Sequence, residues 1–555
     1  MIKFVTTLVT LIVLFNTTFS QTTIAAGEVS GIWENEKSPF LVEGNITVPN
    51  DSTLIIMPGV KVEFQGHFTL NVQGRLLAVG NESDSILFTV ADTAGFSYAD
   101  TTLGGWNGIH FIYTPAANES SKIEFCCLEY GKAVGSGLPD KSGGAIFISN
   151  FNKVQISNCL ITKNSAGGSD SPSGGGICFQ SADIILENNE ISFNHAWDGG
   201  GIQIWESKCI FRNNRIVNNT AEAGGGGIWI GGNSNSEFYG DEIFDNTAGT
   251  GGGGMNCWQN TVATFNSVSV KDNQAKWGGG LHMVECQLNA DSCKLSDNQS
   301  SKWGGGIQME HSDAAIRNSR FEGNKAMVGG GIHSAFSKLN CEKTDFFENI
   351  SDHGGGIYIE NSNGILESCL FERNRAVNGN GGAVNCNSDS LIFDCCYQFK
   401  LNNSIFRENQ ASGNCAALRI EQDQNVNFPM LDVEIESCQF VENHSDVYGS
   451  MRIAGATDNF LVANSVFAHN TCNRHTSGPG FTLFAKGKVI NSVFNSNYSQ
   501  FSDSTKMVQG ATVLFEAEVD FINCTFTDIS VSDGIGLSLR RGAKANVFNC
   551  IFWNC

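Results

Sequence analysis

Gly354-Gly355-Gly356-Ile357-Tyr358-Ile359-Glu360 joins a glycine run to a stretch in which apolar and polar side chains alternate. Alternation at period two belongs to a strand, not a helix. The same join recurs: Gly174-Gly175-Gly176-Ile177 begins a series whose closing apolar residues are Ile202, Ile228, Met255, Leu281, Ile307, Ile332 and Ile357, spaced 25 to 27 residues apart. Gly143-Gly144-Ala145-Ile146 and Gly381-Gly382-Ala383-Val384 extend it on both sides. So steady a phase makes internal repetition the organising feature of the chain.

A second box, aromatic-x-x-Asn, precedes the glycines, as in Phe321-Glu322-Gly323-Asn324, Phe371-Glu372-Arg373-Asn374, Phe406-Arg407-Glu408-Asn409 and Phe440-Val441-Glu442-Asn443. Earlier coils place Ile, Val or Leu at the aromatic position, whereas the Asn runs from Asn164 to Asn497, even where the glycine box has decayed. Phe526-Thr527-Asp528-Ile529 departs from the pattern. Five residues before the aromatic position lies another apolar column, including Ile156, Phe211, Ile316, Leu366, Ile435 and Phe521.

Each period therefore holds three short strands joined by turns. Equivalent strands in successive periods must pair in parallel, and parallel crossovers are overwhelmingly right-handed. The expected fold is all-β, a right-handed parallel β-helix: a single-stranded solenoid with three short strands per coil. At about 4.8 Å per coil it forms a rod about 80 to 90 Å long. Leucine-rich repeats share the period, but their Leu-x-x-Leu-x-Leu spacing is missing and no coil has room for an amphipathic helix.

Within this scheme the glycines mark a corner that needs positive φ and close approach of coils. The Asn side chains turn inward at the opposite corner and bond backbone or the next Asn, since an unpaired buried amide costs roughly 1 to 3 kcal/mol. Cys159, Cys293, Cys369, Cys438, Cys524 and Cys550 stand two residues before the aromatic position, where other coils carry Ser319, Thr344 or Val268. They read as small buried fillers. Cys524 and Cys550, in adjacent coils, also lie within disulfide reach. Cys-x-x-Cys spacing with a converging His is lacking, so no metal site is expected.

Composition agrees: 63 Gly against 8 Pro, with no collagen triplet, places glycine at fixed structural positions. Charged residues make up 16% of the chain, the formal net charge is −22 and no Lys/Arg cluster occurs, which argues against a nucleic-acid ligand. The acidic excess suits solubility and cations such as Ca²⁺, while no other cofactor is implied. Met1-Ile2-Lys3, the apolar run Phe4 to Phe15 and the polar stretch through Ser20 read as a secretory signal peptide over 1–20, too short to span a bilayer. Residues 21–140 are expected to form an N-terminal cap and opening coils, and 141–555 the boxed repeats, which stop in mid-coil as though truncated. The chain reads as an exported monomer, extracellular or at the outer-membrane surface, with no transmembrane segment.

Alternation sends the first and third residues after each glycine-box apolar residue outward. The first column reads Gln203, Trp229, Asn256, His282, Gln308, His333, Tyr358 and Asn385, and the second includes Trp205, Trp258, Glu310 and Glu360; Trp277 and Trp303 stand just before adjacent boxes. Exposed aromatics beside amides and carboxylates suit a sugar chain, whose apolar faces stack on rings while its hydroxyls need polar partners. Trp205, Trp229, Trp258, His282 and Tyr358 are the ligand-binding candidates. The bland alternative is that they decorate a soluble sheet face. Glu310 and Glu360, two coils or roughly 9.6 Å apart with His333 between, are the catalytic candidates, near the upper limit for inverting glycosidases. Coils Asn374–Asn409 and Asn409–Asn443 are longer than the rest, so loops at Asn387–Lys400 and Glu421–Leu431 are expected to protrude side by side.

The paired glycine and Phe-x-x-Asn boxes resemble the repeats of the polymorphic outer-membrane protein family, and more widely the pectate-lyase-like (pectin lyase fold) β-helix proteins, over about Lys141 to the C-terminus. Pro58-Gly59-Val60-Lys61-Val62-Glu63-Phe64 with Gly104-Gly105-Trp106-Asn107-Gly108-Ile109 resembles the opening coils of secreted bacterial β-helix proteins. The resemblance implies a cell-surface or secreted passenger concerned with adhesion, whose partner is an extracellular polysaccharide or a component of a host or neighbouring cell surface. The chain departs from that family in lacking its C-terminal barrel, and lyase-type motifs are not recognisable. The expectation is an adhesin-like or polysaccharide-binding protein without catalysis of its own; the alternative is a polysaccharide lyase or glycoside hydrolase.

Overall fold

The computed structural model describes residues 21–168, 171–388, 397–422, 432–455, 460–473, 478–499, 512–529 and 536–555. The leader at 1–20 and most of the two expected protruding loops lie outside the described residues.

One coil shows the plan. After Gly329-Gly330-Gly331 come the box strand Ile332–Ala335, a second strand Lys338–Glu342, a third strand Asp345–Phe347 and a two-residue fourth strand Ile350–Ser351 before the next glycine box. Each pairs in parallel with its counterpart one coil on: Ile332 with Ile357, Lys338 with Asn363, Asp345 with Leu370 and Ile350 with Arg375. The third strands build a 20-stranded sheet, the box and second strands build two of similar length, and the fourth strands form sheets of 7 and 6 strands. Three strands per coil were expected; the fourth is an addition. It straightens the chain between the Asn corner and the glycine corner and, in the coils of Trp277 and Trp303, lengthens to Gln274–Trp277 and Gln299–Trp303.

Alternation decides what fills the interior. Ile332, Leu339, Cys341 and Phe346 face inward and are buried. Phe321, Phe346, Phe371, Phe406, Phe440, Phe467, Phe494, Phe526 and Phe552 form one continuous stack, with centroids 4.6 to 4.9 Å apart and rings nearly parallel. The coil rise thus doubles as an aromatic stacking distance. Phe526 keeps its place in the stack although the Asn that should follow it is missing.

The Asn column is the expected internal ladder. Asn324 Nδ2 donates to Asn349 Oδ1 at 3.0 Å and to the Leu295 carbonyl at 2.8 Å, while its backbone N–H donates to the same Asn349 oxygen at 3.1 Å. The pattern runs from Asn164 to Asn497. A second, shorter ladder lies at the corner two residues before the aromatic position: Asn189 donates to Asn214, and Asn214 to Asp241. Asp241 is fully buried, and desolvation pushes its carboxyl up to about 6 against the hydrogen bonds from Asn214 and Tyr239. Elsewhere the same position holds Ser319, which accepts from the Cys293 N–H at 3.1 Å, or a buried cysteine. Cys524 and Cys550 are unbridged: the Cys524 N–H donates to Cys550 Sγ at 3.3 Å.

The box glycines do two jobs. Gly329 has φ +66°, and a Cβ on Gly330 would sit 2.3 Å from the Gly355 carbonyl oxygen. The collision that excludes a side chain at Gly330 is therefore with the next coil's backbone, rather than with another side chain. Coiling begins at once, Thr22–Ile24 pairing with Phe40–Val42. An excursion after Val90 is held by buried Lys132, whose Nζ donates to the carbonyls of Gly95, Tyr98 and Leu103 at 3.3, 2.7 and 3.0 Å. Among the described residues, no helix is long and apolar enough to cross a membrane.

Candidate functional site

The box strands set their outward side chains in two columns, in the register expected: Gln203–Trp229–Asn256–His282–Gln308–His333–Tyr358–Asn385 in the first, with Glu310–Ala335–Glu360 in the second. Exposure differs from the expectation. His282 and His333 point away from the core yet are only 7% and 3% exposed, and Gln308 and Asn385 are buried as well. In the middle coils the segment before the glycine box roofs this column. Trp277 stacks on His282 with centroids 6.2 Å apart, and Trp303 stacks on His333 at 5.5 Å. Where the roof carries Gly251, its missing Cβ leaves the room that the His282 ring occupies. His282 Nδ1 meets Asn256 Oδ1 at 3.0 Å, and burial holds its imidazole down at about 4. As a ligand-binding candidate His282 is thus corrected to a buried, neutral member of the roofed column. Tyr358 is half-buried and stacks on His333 at 5.5 Å.

Toward the N-terminal end the face opens. Trp229 lies across its strand rather than standing upright, because position 231 is glycine: a Cβ there would come within 2.5 Å of the Trp229 ring. The freed space lets Trp229 stack on Trp205 from the preceding coil, with centroids 5.7 Å apart and planes 13° from parallel. Trp258, one coil further, is 40% exposed. Beside Trp205 is a cavity of about 170 Å³ whose lining includes Lys141, Ser142, Ser173, Gln180 and Gln203. Cys178 donates to Gln203 Oε1 at 3.1 Å and so orients that amide. An indole floor, amides, hydroxyls and an ammonium thus meet in one place. Of these neighbours, Lys141, Ser142, Ser173 and Gln180 escaped sequence reasoning: Gln180 occupies the second outward column, but the other three precede their boxes, where no periodicity marks them.

The catalytic candidates are brought together in part. His333 Nε2 lies 3.4 Å from Glu360 Oε2, whereas Glu310 remains two coils from Glu360, across Ala335. The His333 ring is enclosed between Trp303 and Tyr358, and its Nδ1 is buried without a hydrogen-bond partner. The first column also continues past its expected end at Asn385, through Arg419 and Arg452. The signal was the alternation Leu418-Arg419-Ile420-Glu421, which survives the loss of the glycines before it.

Residues 144–326 match the family model described as right handed beta helix region. Among curated proteins, none matches the chain. The matched span covers the glycine boxes that close at Ile177 through Ile307, and the parallel pairing continues on either side of it, from Thr22–Ile24 to Ile551–Trp553. With every ladder among the described residues parallel, each strand above its counterpart and the matched family right-handed, the molecule is a right-handed parallel β-helix.

Proposed function

We propose that this β-helix is an exported, cell-surface or extracellular glycan-binding protein of adhesin type, which lays an extended sugar chain along the box face. The observation that carries the reading is the Trp205–Trp229 stack that Gly231 makes possible, beside exposed Trp258 and the polar cavity at Gln180 and Gln203. Indole faces match the apolar faces of sugar rings, and the amides and hydroxyls match their rims. The signal-like leader supports the extracellular setting. Glycan-array screening followed by calorimetry tests the reading: the wild-type chain binds, and a Trp229→Ala/Trp258→Ala variant loses at least about tenfold in affinity, in keeping with one or two lost stacking contacts. Equal binding by both proteins overturns it.

A second reading, cleavage of the bound chain as a lyase or hydrolase, draws on the His333–Glu360 approach of 3.4 Å. Incubating the chain with the glycans it binds, and following new reducing or unsaturated ends, decides between binder and enzyme.

A further inference from the structure

Arg419 and Arg452 occupy the first outward column in adjacent coils, directly in register, with side chains only 14% and 13% exposed. Arg452 Nη1 lies 2.8 Å from Glu421 Oε2, and Arg419 Nη2 pairs with the same oxygen. Arg419 Nη1 also donates to Asn385 Oδ1 at 3.0 Å. Arg452 is further held over the rings of Tyr448 and Phe484, at 5.1 and 4.9 Å. Among the described residues, the Nε of each guanidinium is buried with no acceptor.

This is an expensive arrangement. Among the described residues, the ion pairs of the two guanidiniums converge on one carboxylate, leaving a positive charge in excess in a chain whose formal net charge is −22. Two like charges one coil apart, about 4.8 Å, repel, and partial burial strengthens the repulsion. Burial and the neighbouring Arg452 push the Arg419 pKa below its usual value. A structural ion pair needs one arginine for Glu421, and the second needs another anion. Each guanidinium thus keeps an N–H donor without an acceptor among the described residues, and planar guanidinium groups suit oxyanions.

We propose that Arg419 and Arg452 form an anion-binding site that takes the oxyanion of a ligand, such as a sulfate ester. It lies on the same face as the tryptophans, seven coils on from Trp229, or about 34 Å along the rod. It deepens the glycan-binding reading by giving the polymer anionic substituents, but its test does not depend on that reading.

Calorimetric titration of the full chain with sodium sulfate, at constant ionic strength balanced with chloride, is the direct experiment. Saturable binding is expected, weakened at least about tenfold by Arg452→Met and tightened several-fold by Glu421→Gln, which removes the competing carboxylate. If Arg452→Met does not fold, Arg419→Lys replaces it, keeping the charge while losing the fork, and it too should weaken binding. Sulfate binding retained by the Trp229→Ala/Trp258→Ala variant keeps this site standing even if the tryptophan face fails. A sulfated oligosaccharide that binds more tightly than free sulfate identifies a glycan as the carrier; equal affinities identify the free ion. Absence of saturable heat, or variants that titrate like wild type, overturns the proposal.

Discussion

Asp241 shows how much one residue can cost in a repetitive molecule. It ends the short Asn189–Asn214 ladder as a fully buried carboxylate. Its folded pKa of about 6 lies above the ordinary value of 3.8. The folded state therefore holds the proton more tightly, so this residue's contribution to stability is greatest below about pH 4 and is lost as pH rises through about 6. The rise from 3.8 to about 6 corresponds to about 3 kcal/mol at most. Asp241→Ser, which installs the group used at Ser319, is expected to gain about 1 to 3 kcal/mol over wild type in denaturant unfolding at pH 7.5, with the gap shrinking by pH 4.5. A gap that does not change with pH would show that the carboxyl is not buried in its charged form. The Asn324 ladder was legible in the sequence because each Asn follows an apolar anchor at fixed distance. Asp241 was not, since Asn, Asp, Ser, Cys and Val all fill its column and no single residue type marks it. His282 and His333 failed for another reason: alternation reports which side of a strand a side chain leaves from, not what then covers it.

Among elements, the phenylalanine stack carries the C-terminal half of the core. Phe406 touches Phe371 and Phe440 at 4.6 and 4.9 Å, so truncating it opens a gap bordered by two rings. Phe406→Ala is expected to lower unfolding free energy by about 3 to 5 kcal/mol, whereas Phe406→Leu, the kind of residue that Leu295 supplies upstream, should cost markedly less. Urea melts of the two variants check this; equal losses would mean that the ring stacking, not volume, dominates. The three long strands were readable from their apolar columns. The fourth was not, because two residues such as Ile350–Ser351 are too short for any period to register. That omission hid the roof over the box face, which is built from the same segment.

At the scale of the whole molecule, stability is close to a sum over neighbouring coils. Twenty third strands at the sheet spacing give an axis of about 90 Å, whereas a compact sphere of this chain length would end near about 65 Å. Small-angle scattering is expected to return a maximum dimension of about 90 Å or more; a value near that of the sphere would contradict the solenoid. The fold could be read from the spacing of the boxes together with the period-two alternation that follows each of them. Trp205, Trp229 and Trp258 could be named from the outward columns, but the local arrangements could not, since they depend on singular residues, Gly231 beside Trp229 and Arg452 beside Arg419, that interrupt the repeat instead of obeying it.

The registers crossing the longest coils carry one last implication. Although Asn374 and Asn409 are 35 residues apart, Leu370 still pairs with Ile405 and Val384 with Leu418, so the surplus is absorbed between the box strand and the second strand. Gene-level insertions and deletions are thus filtered by location: whole-period changes, or additions between strands such as this one and the excursion after Val90, leave the ladders in phase, whereas losing a single codon inside a strand would invert inside and outside for the remainder of that strand.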